Sequence, residues 1–287
     1  GISFYTFQGI SYIADVYRGK TKAEKSVLRY AVYIAMFEQL IAGPIVTYSR
    51  VKGSLKSRKI NVSAVLCGLG MFIFGLGLKV LLANPIGKLW SQTLAIGFES
   101  VSTPLAWMAL FAYSFQIYFD FFGYSLMAVG LGKMLGFKLP KNFDHPYMSL
   151  TVTEFWRRWH ITLGSWFREY VYIPLGGNRK GIVRKILNNM MVFLVCGMWH
   201  GAGLNYIAWG LIHGFYTSVE AVKNDWNRKR GKATSDRKGK RVSFLRATGV
   251  FLLAAFAWIF FRGGSAAAAL RYLSGIIPVH LRLSDWN

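Results

Sequence analysis

Residues 62–83, VSAVLCGLGMFIFGLGLKVLLA, form an apolar run interrupted by a single charge, Lys79. A helix needs about 20 predominantly apolar residues to cross a hydrocarbon layer about 30 Å thick, and few soluble cores accommodate such a stretch. Similar runs recur at 104–135, 186–199, 203–222 and 244–262, and 53% of the 287 residues are hydrophobic. In lipid every backbone polar group needs an internal partner, which favours helices. The chain therefore reads as an all-α, multi-pass helical membrane protein.

The formal charge of +23 lies between these runs, not along them. RGKTKAEK (18–25), SRVKGSLKSRK (49–59), the lysines at 133, 138 and 141, GGNRKGIVRK (176–185) and the stretch 223–241 read as cytoplasmic, orientation-setting loops and not as a nucleic-acid surface. The 223–241 stretch is also suited to lipid headgroups. Residues 2–17 read as a buried aromatic helix. Residues 27–48, interrupted by Glu38, Gln39 and Gly43-Pro44 between two basic loops, read as a bent or re-entrant element enclosed by protein. Residues 84–103, opening with Asn-Pro, are expected to be an extracytoplasmic loop. The glycines at 68, 70, 75 and 77 predict close helix packing, and GLGLK lacks the spacing of a phosphate loop. The arms 186–199 and 203–222 predict a hairpin returning to the cytoplasmic side. Its 14-residue first arm, about 21 Å long, places His200 deep near the tip. A shorter apolar segment, 266–279, follows the last long run. The first residues already read as membrane helix, so a single membrane domain cut from a longer protein is expected.

Residues 154–171 differ. At 100° per residue, Phe155, Trp156, Trp159, Leu163, Trp166, Phe167, Tyr170 and Val171 share one arc and Glu154, Arg157, Arg158, Ser165, Arg168 and Glu169 the other, predicting an interfacial helix. His160 falls at the edge of the apolar arc.

His200 is the leading chemical candidate, because an ionisable ring at membrane depth is costly enough to imply a function. Gly197, Gly201 and Gly203 beside it permit close approach of another chain or a substrate. His160 suits a functional or a structural role equally. His213, between Trp209 and Thr217 on one helical face, suits packing or hydrogen bonding; His145 and His280 have no special claim. Asp120 needs a partner, a polar cavity or a backbone bond at a helix end, and Glu38 shares that ambiguity. Cys196, one turn before His200, reads either as a Cys-His nucleophile or as a small buried hydrophobe. No zinc spacing and no cysteine framework is present, so no metal is implied. A histidine base with aromatic walls suits proton removal from a hydroxyl and attack on an activated acyl group.

FDFFGYS (119–125), FWRRWHITLGSWFREYVYIPLGGNRKG (155–181), MWHG (198–201), WGLIHG (209–214) and WIFFR (258–262) occur in this order. Together with the opening ISFYTFQGISYIADVYRG and QLIAGPI at 39–45, they resemble the membrane-bound O-acyltransferase family, specifically its alginate O-acetyltransferase-like bacterial branch. The resemblance spans nearly the whole chain. It implies helices around a central tunnel, His200 as the signature histidine and His160 as the second. Asp120, Trp156, Asn178, Trp199 and His213 become substrate or tunnel candidates. It further implies transfer from a cytoplasmic thioester such as acetyl-CoA, with no bound cofactor, to an exported polysaccharide or peptidoglycan. Periplasmic acyltransferase or export partners and a bacterial inner-membrane location go with it. Glu38 stands where proline is expected, and Gly164 where serine is expected. D-alanyl transfer to teichoic acid is the alternative within the family. A proton-coupled transporter using the histidines and Asp120 is the alternative outside it, against which stands the lack of an internal repeat.

Overall fold

The computed structural model describes residues 2–36, 43–96, 101–231 and 240–276, and all regular structure among them is helical. In chain order the helices are α1 (Ile2–Tyr17), α2 (Val27–Ala35), α3 (Tyr48–Lys56), α4 (Val62–Gly77), α5 (Asn84–Ile96), α6 (Thr103–Met134), α7 (Val152–Arg158), α8 (Ile161–Phe167), α9 (Gly181–His200), α10 (Leu204–Lys229), α11 (Lys240–Arg262) and α12 (Ala266–Ile276). Among the described residues, four stretches are long and apolar enough to cross a membrane: Val62–Thr93, Thr103–Met134, Gly181–His200 and Arg241–Arg262. The chain divides into two compact units. The first comprises residues 1–83, 118–144 and 158–171; the second comprises 84–117, 145–157 and 172–287.

In the first unit, α2 is capped by Ser26, whose Oγ accepts from Arg29 N at 3.3 Å, and α4 by Asn61, whose Oδ1 accepts from Ala64 N at 2.7 Å. Each cap satisfies a donor that the first helical turn leaves open. Nine-residue α2 spans about 13 Å, too short to cross a membrane, and Tyr33 and Met36 pack with Val46, Tyr48, Val51 and Phe137 in a buried core. Glu38 and most of QLIAGPI lie outside the described residues, as does His280. Two of the four expected packing glycines hold α4 against α6. A Cβ on Gly68 would lie 2.6 Å from Gly130 O, and one on Gly75 would lie 2.5 Å from Gly123 O. Gly70 and Gly77 face open space.

The helix does not end where Asn84-Pro85 suggests. A π-helical turn, Leu78–Ala83, joins α4 directly to α5, so much of the expected extracytoplasmic loop is helix. Proline normally costs a helix one hydrogen bond and a clash with the preceding turn. Here the i→i+5 turn has already reset the hydrogen-bond ladder just before it.

The second unit is built on the α9–α10 hairpin, which confirms the expected pairing of the two arms. Gly197 lies against the Tyr206 carbonyl and Gly210 against that of Phe193, with an added Cβ meeting them at 2.4 and 2.3 Å. The arms are longer than expected. α9 begins at Gly181, taking in Arg184 and Lys185, and its 20 residues cover about 30 Å. It is thus long and apolar enough to be a candidate span. α10 runs on to Lys229, where Asp225 pairs with Arg228 at 2.6 Å and Lys229 at 3.0 Å, so the basic stretch 223–241 begins as helix. Tyr272 of α12 donates to Ala106 O at 2.6 Å, tying the C-terminal helix to α6.

Candidate active site

The segment 154–171 is not one helix. α7 stops at Arg158, His160 takes a left-handed conformation at φ 43°, and α8 starts at Ile161 before a π turn at Arg168–Tyr172. A non-glycine residue there is uncommon and costs about 1–3 kcal/mol unless its surroundings hold it. The holding group is Asn142. Its Oδ1 accepts from Thr162 Oγ1 at 2.7 Å and Thr162 N at 3.2 Å, and it lies 3.2 Å from His160 Nδ1. Its main-chain oxygen accepts from Ile161 N at 2.9 Å. An amide oxygen already receiving two donors can only accept from the imidazole. Nδ1 therefore carries the hydrogen, and the lone pair of the neutral ring is on Nε2. The ring is buried, edge-on to Phe121 at 4.7 Å. Of the apolar arc, Phe155, Trp159, Leu163, Trp166 and Phe167 are buried despite the break, whereas Trp156, Tyr170 and Val171 are half-buried.

His200 closes α9 in the second unit, with Gly201–Gly203 leading into α10. Its ring is half-buried and enclosed by aromatic faces and edges: Trp199 at 4.6 Å, Phe261 at 4.9 Å, Trp209 at 5.1 Å and Tyr206 at 6.5 Å. No hydrogen bond engages it among the described residues. Trp209 continues to His213 at 5.2 Å, and His213 to Trp156 at 4.8 Å. Trp156 Nε1 donates to His213 Nδ1 at 3.2 Å. The structure thus brings together His200, Trp199, His213 and Trp156. Cys196 is buried on α9, and no hydrogen bond joins it to His200.

Asp120, in the first unit, is neither backbone-bonded at a helix end nor left alone: Lys79 of the π turn forms an ion pair with it. The glycine register brings them face to face. Four residues beyond Gly75 lies Lys79, and four before Gly123 lies Phe119, next to Asp120. Lys79 was legible in principle as the lone charge in the apolar run 62–83. Asn178 is exposed, accepting from the Tyr172 hydroxyl, while Asn188 Nδ2 ties the same turn by donating to Gly177 O at 3.1 Å. Glu220, a residue that sequence reasoning passed over, accepts from Val152 N at 2.9 Å, from Thr153 N at 2.8 Å and from the Thr153 hydroxyl. It caps α7 from α10 and so helps position Trp156. Its signal was an acid inside an otherwise apolar arm.

Long apolar helices of this kind place the chain, by class, among helical membrane proteins. Residues 24–262 match the membrane-bound O-acyltransferase family (MBOAT), and the chain belongs to that family. It is 40% identical over 287 residues to the probable alginate O-acetylase AlgI of Pseudomonas putida, covering 100% of this chain and 56% of the relative. The peptidoglycan O-acetyltransferase of Helicobacter pylori is 37% identical over 97% of this chain and 56% of its own length. The teichoic acid D-alanyltransferase of Bacillus subtilis is 30% identical over 80% of this chain and 60% of its own. The chain spans about half the length of the alginate relatives it matches.

Proposed function

We propose that the protein is a membrane-embedded O-acyltransferase of a bacterial inner membrane, moving an acetyl group from cytoplasmic acetyl-CoA to hydroxyls of an exported polysaccharide or peptidoglycan. The observation that carries this reading is the unbonded His200 ring in its aromatic enclosure, in a chain of the acyltransferase family. In this reading His200 takes the proton of the acceptor hydroxyl, the oxygen attacks the thioester carbonyl, and the C–S bond breaks. The proton then passes to the leaving thiolate. His160, with Nδ1 tied to Asn142, orients groups along a tunnel. Asp120, Trp156, Trp199, Asn178 and His213 are candidate tunnel or substrate residues, and a re-entrant element near residues 27–48 would help enclose it. The basic loops face the cytoplasm, and periplasmic or extracellular acyltransferase or export partners complete the transfer.

Likeness to the teichoic acid D-alanyltransferase supports a second reading, in which the transferred group is D-alanyl from a carrier protein. Full-length protein incubated with labelled acetyl-CoA and candidate glycans should yield an acetylated product that His200→Ala fails to make. Undiminished transfer by that variant sinks the role of His200. Transfer only from a D-alanyl carrier favours the second reading, and proton-coupled flux without any acyl transfer would replace both with a transporter. A covalent route through Cys196 predicts an acyl adduct by mass spectrometry.

A further inference from the structure

Two hydrogen-bond donors on α10, one of them on the ring that meets His200, are buried without an acceptor. They are Trp209 Nε1 and His213 Nε2, on residues each only 1% exposed. The tautomer of His213 follows from its other nitrogen. Nδ1 accepts from Trp156 Nε1, so the hydrogen of the neutral ring sits on Nε2, and that N–H lacks a partner. An indole N–H can only donate. The two residues stand one helical turn apart on α10, their rings 5.2 Å apart, and the Trp209 ring meets His200 at 5.1 Å. Buried donors without acceptors are rare and costly. An aromatic cluster needed only for packing could use phenylalanine at Trp209 and avoid that cost. Both groups donate, so the partner they suit is an acceptor oxygen and not a cation.

We propose that Trp209 Nε1–H and His213 Nε2–H bind the carbonyl oxygen of the acyl thioester and hold it as it becomes an oxyanion. This rests on the acyl-transfer reading above. As the acceptor oxygen bonds to the carbonyl carbon, its proton goes to His200 and the C=O electron pair moves onto the oxygen facing the two donors. Collapse restores the C=O bond, the C–S bond breaks, and the thiolate takes the proton from His200. Neither donor gives up its proton. Fixed donors aimed at developing charge act most strongly where water is excluded, and losing one such donor typically lowers kcat about 10²- to 10³-fold.

The test uses full-length protein and two acetyl-CoA analogues that cannot transfer: a ketone in which methylene replaces the thioester sulfur, and S-ethyl-CoA, which lacks the carbonyl. Wild type should prefer the ketone by about tenfold, the worth of a buried hydrogen bond. His213→Phe and Trp209→Phe should each erase most of that preference while leaving S-ethyl-CoA affinity unchanged, which also reports that the variant is folded. His213→Gln, whose amide N–H can reach the place of Nε2, should restore part of it and part of kcat. Equal binding of both analogues by wild type, or an intact preference in both phenylalanine variants, overturns the donor pair while acetyl transfer by wild type still stands. Binding of neither analogue, with no transfer from acetyl-CoA, overturns the acyl-transfer reading and the donor pair with it.

Discussion

The two histidines of the family pattern are held in opposite ways. His160 sits in a left-handed backbone turn, buried, its Nδ1 tied to an asparagine that also binds the next residue but one. His200 sits in ordinary helix at the end of α9, touched by rings and hydrogen-bonded to nothing among the described residues. Strain compensated by a polar network fixes one ring in one tautomer. An unbonded ring among aromatic walls keeps both nitrogens for chemistry. In the proposed mechanism, the contrast separates a ring that is positioned from one that exchanges a proton.

The largest effect should come from the free ring: His200→Ala is expected to lower acetyl transfer by about 10²- to 10⁴-fold, the usual worth of general acid/base help, with membrane insertion intact. Retained activity would erase the distinction. Next, Asn142→Leu should strand three donors around His160, at about 1–3 kcal/mol for each left unsatisfied. Thermal unfolding should fall sharply, whereas the same change beside His200 has no counterpart to test. Gly197→Leu should cost about 1–3 kcal/mol or more by forcing the hairpin apart, while Gly70→Ala, on an open face, should be tolerated. A smaller effect is set by pH. Glu24 is held down from 4.5 to about 2, chiefly by the Tyr48 hydroxyl, then by Ser26 N–H and Arg29. Its folded pKa is depressed, so its contribution is complete above about 4.5 and lost as pH falls toward 2. Glu24→Gln should therefore unfold with a shallower acid dependence across that window. Smallest of all, Cys196→Ser is expected to keep its activity, because no bond links the thiol to His200; an acyl adduct on Cys196 would reverse that.

The long helices were legible because apolar runs and loop charges mark them directly. The α9–α10 hairpin was legible from its glycines and flanking cations. What misled were residues whose usual local meaning was overridden. Pro85 reads as a stop, but a π turn had already broken the ladder. Arg184 and Lys185 read as loop, yet they extend α9. His160 was invisible as a break because the hydrophobic rhythm of 154–171 continues across it; one αL residue changes chain direction without changing which side chains are buried. Lys79 and Glu220 were missed for a shared reason. A lone charge in an apolar run signals a partner, but only the packed structure supplies Asp120 for one and the α7 N-terminus for the other.

The paired glycines of α4 and α6 work like marks on a vernier. Gly68 and Gly75 are spaced by seven residues, as are Gly123 and Gly130, so two helices sliding past each other by two turns could still seat one glycine against another. Asp120 is the single acid of α6, and in either slipped setting Lys79 would face a stretch with no carboxylate. The ion pair thus reads the scale: it rejects the near-miss alignments that small residues alone would accept.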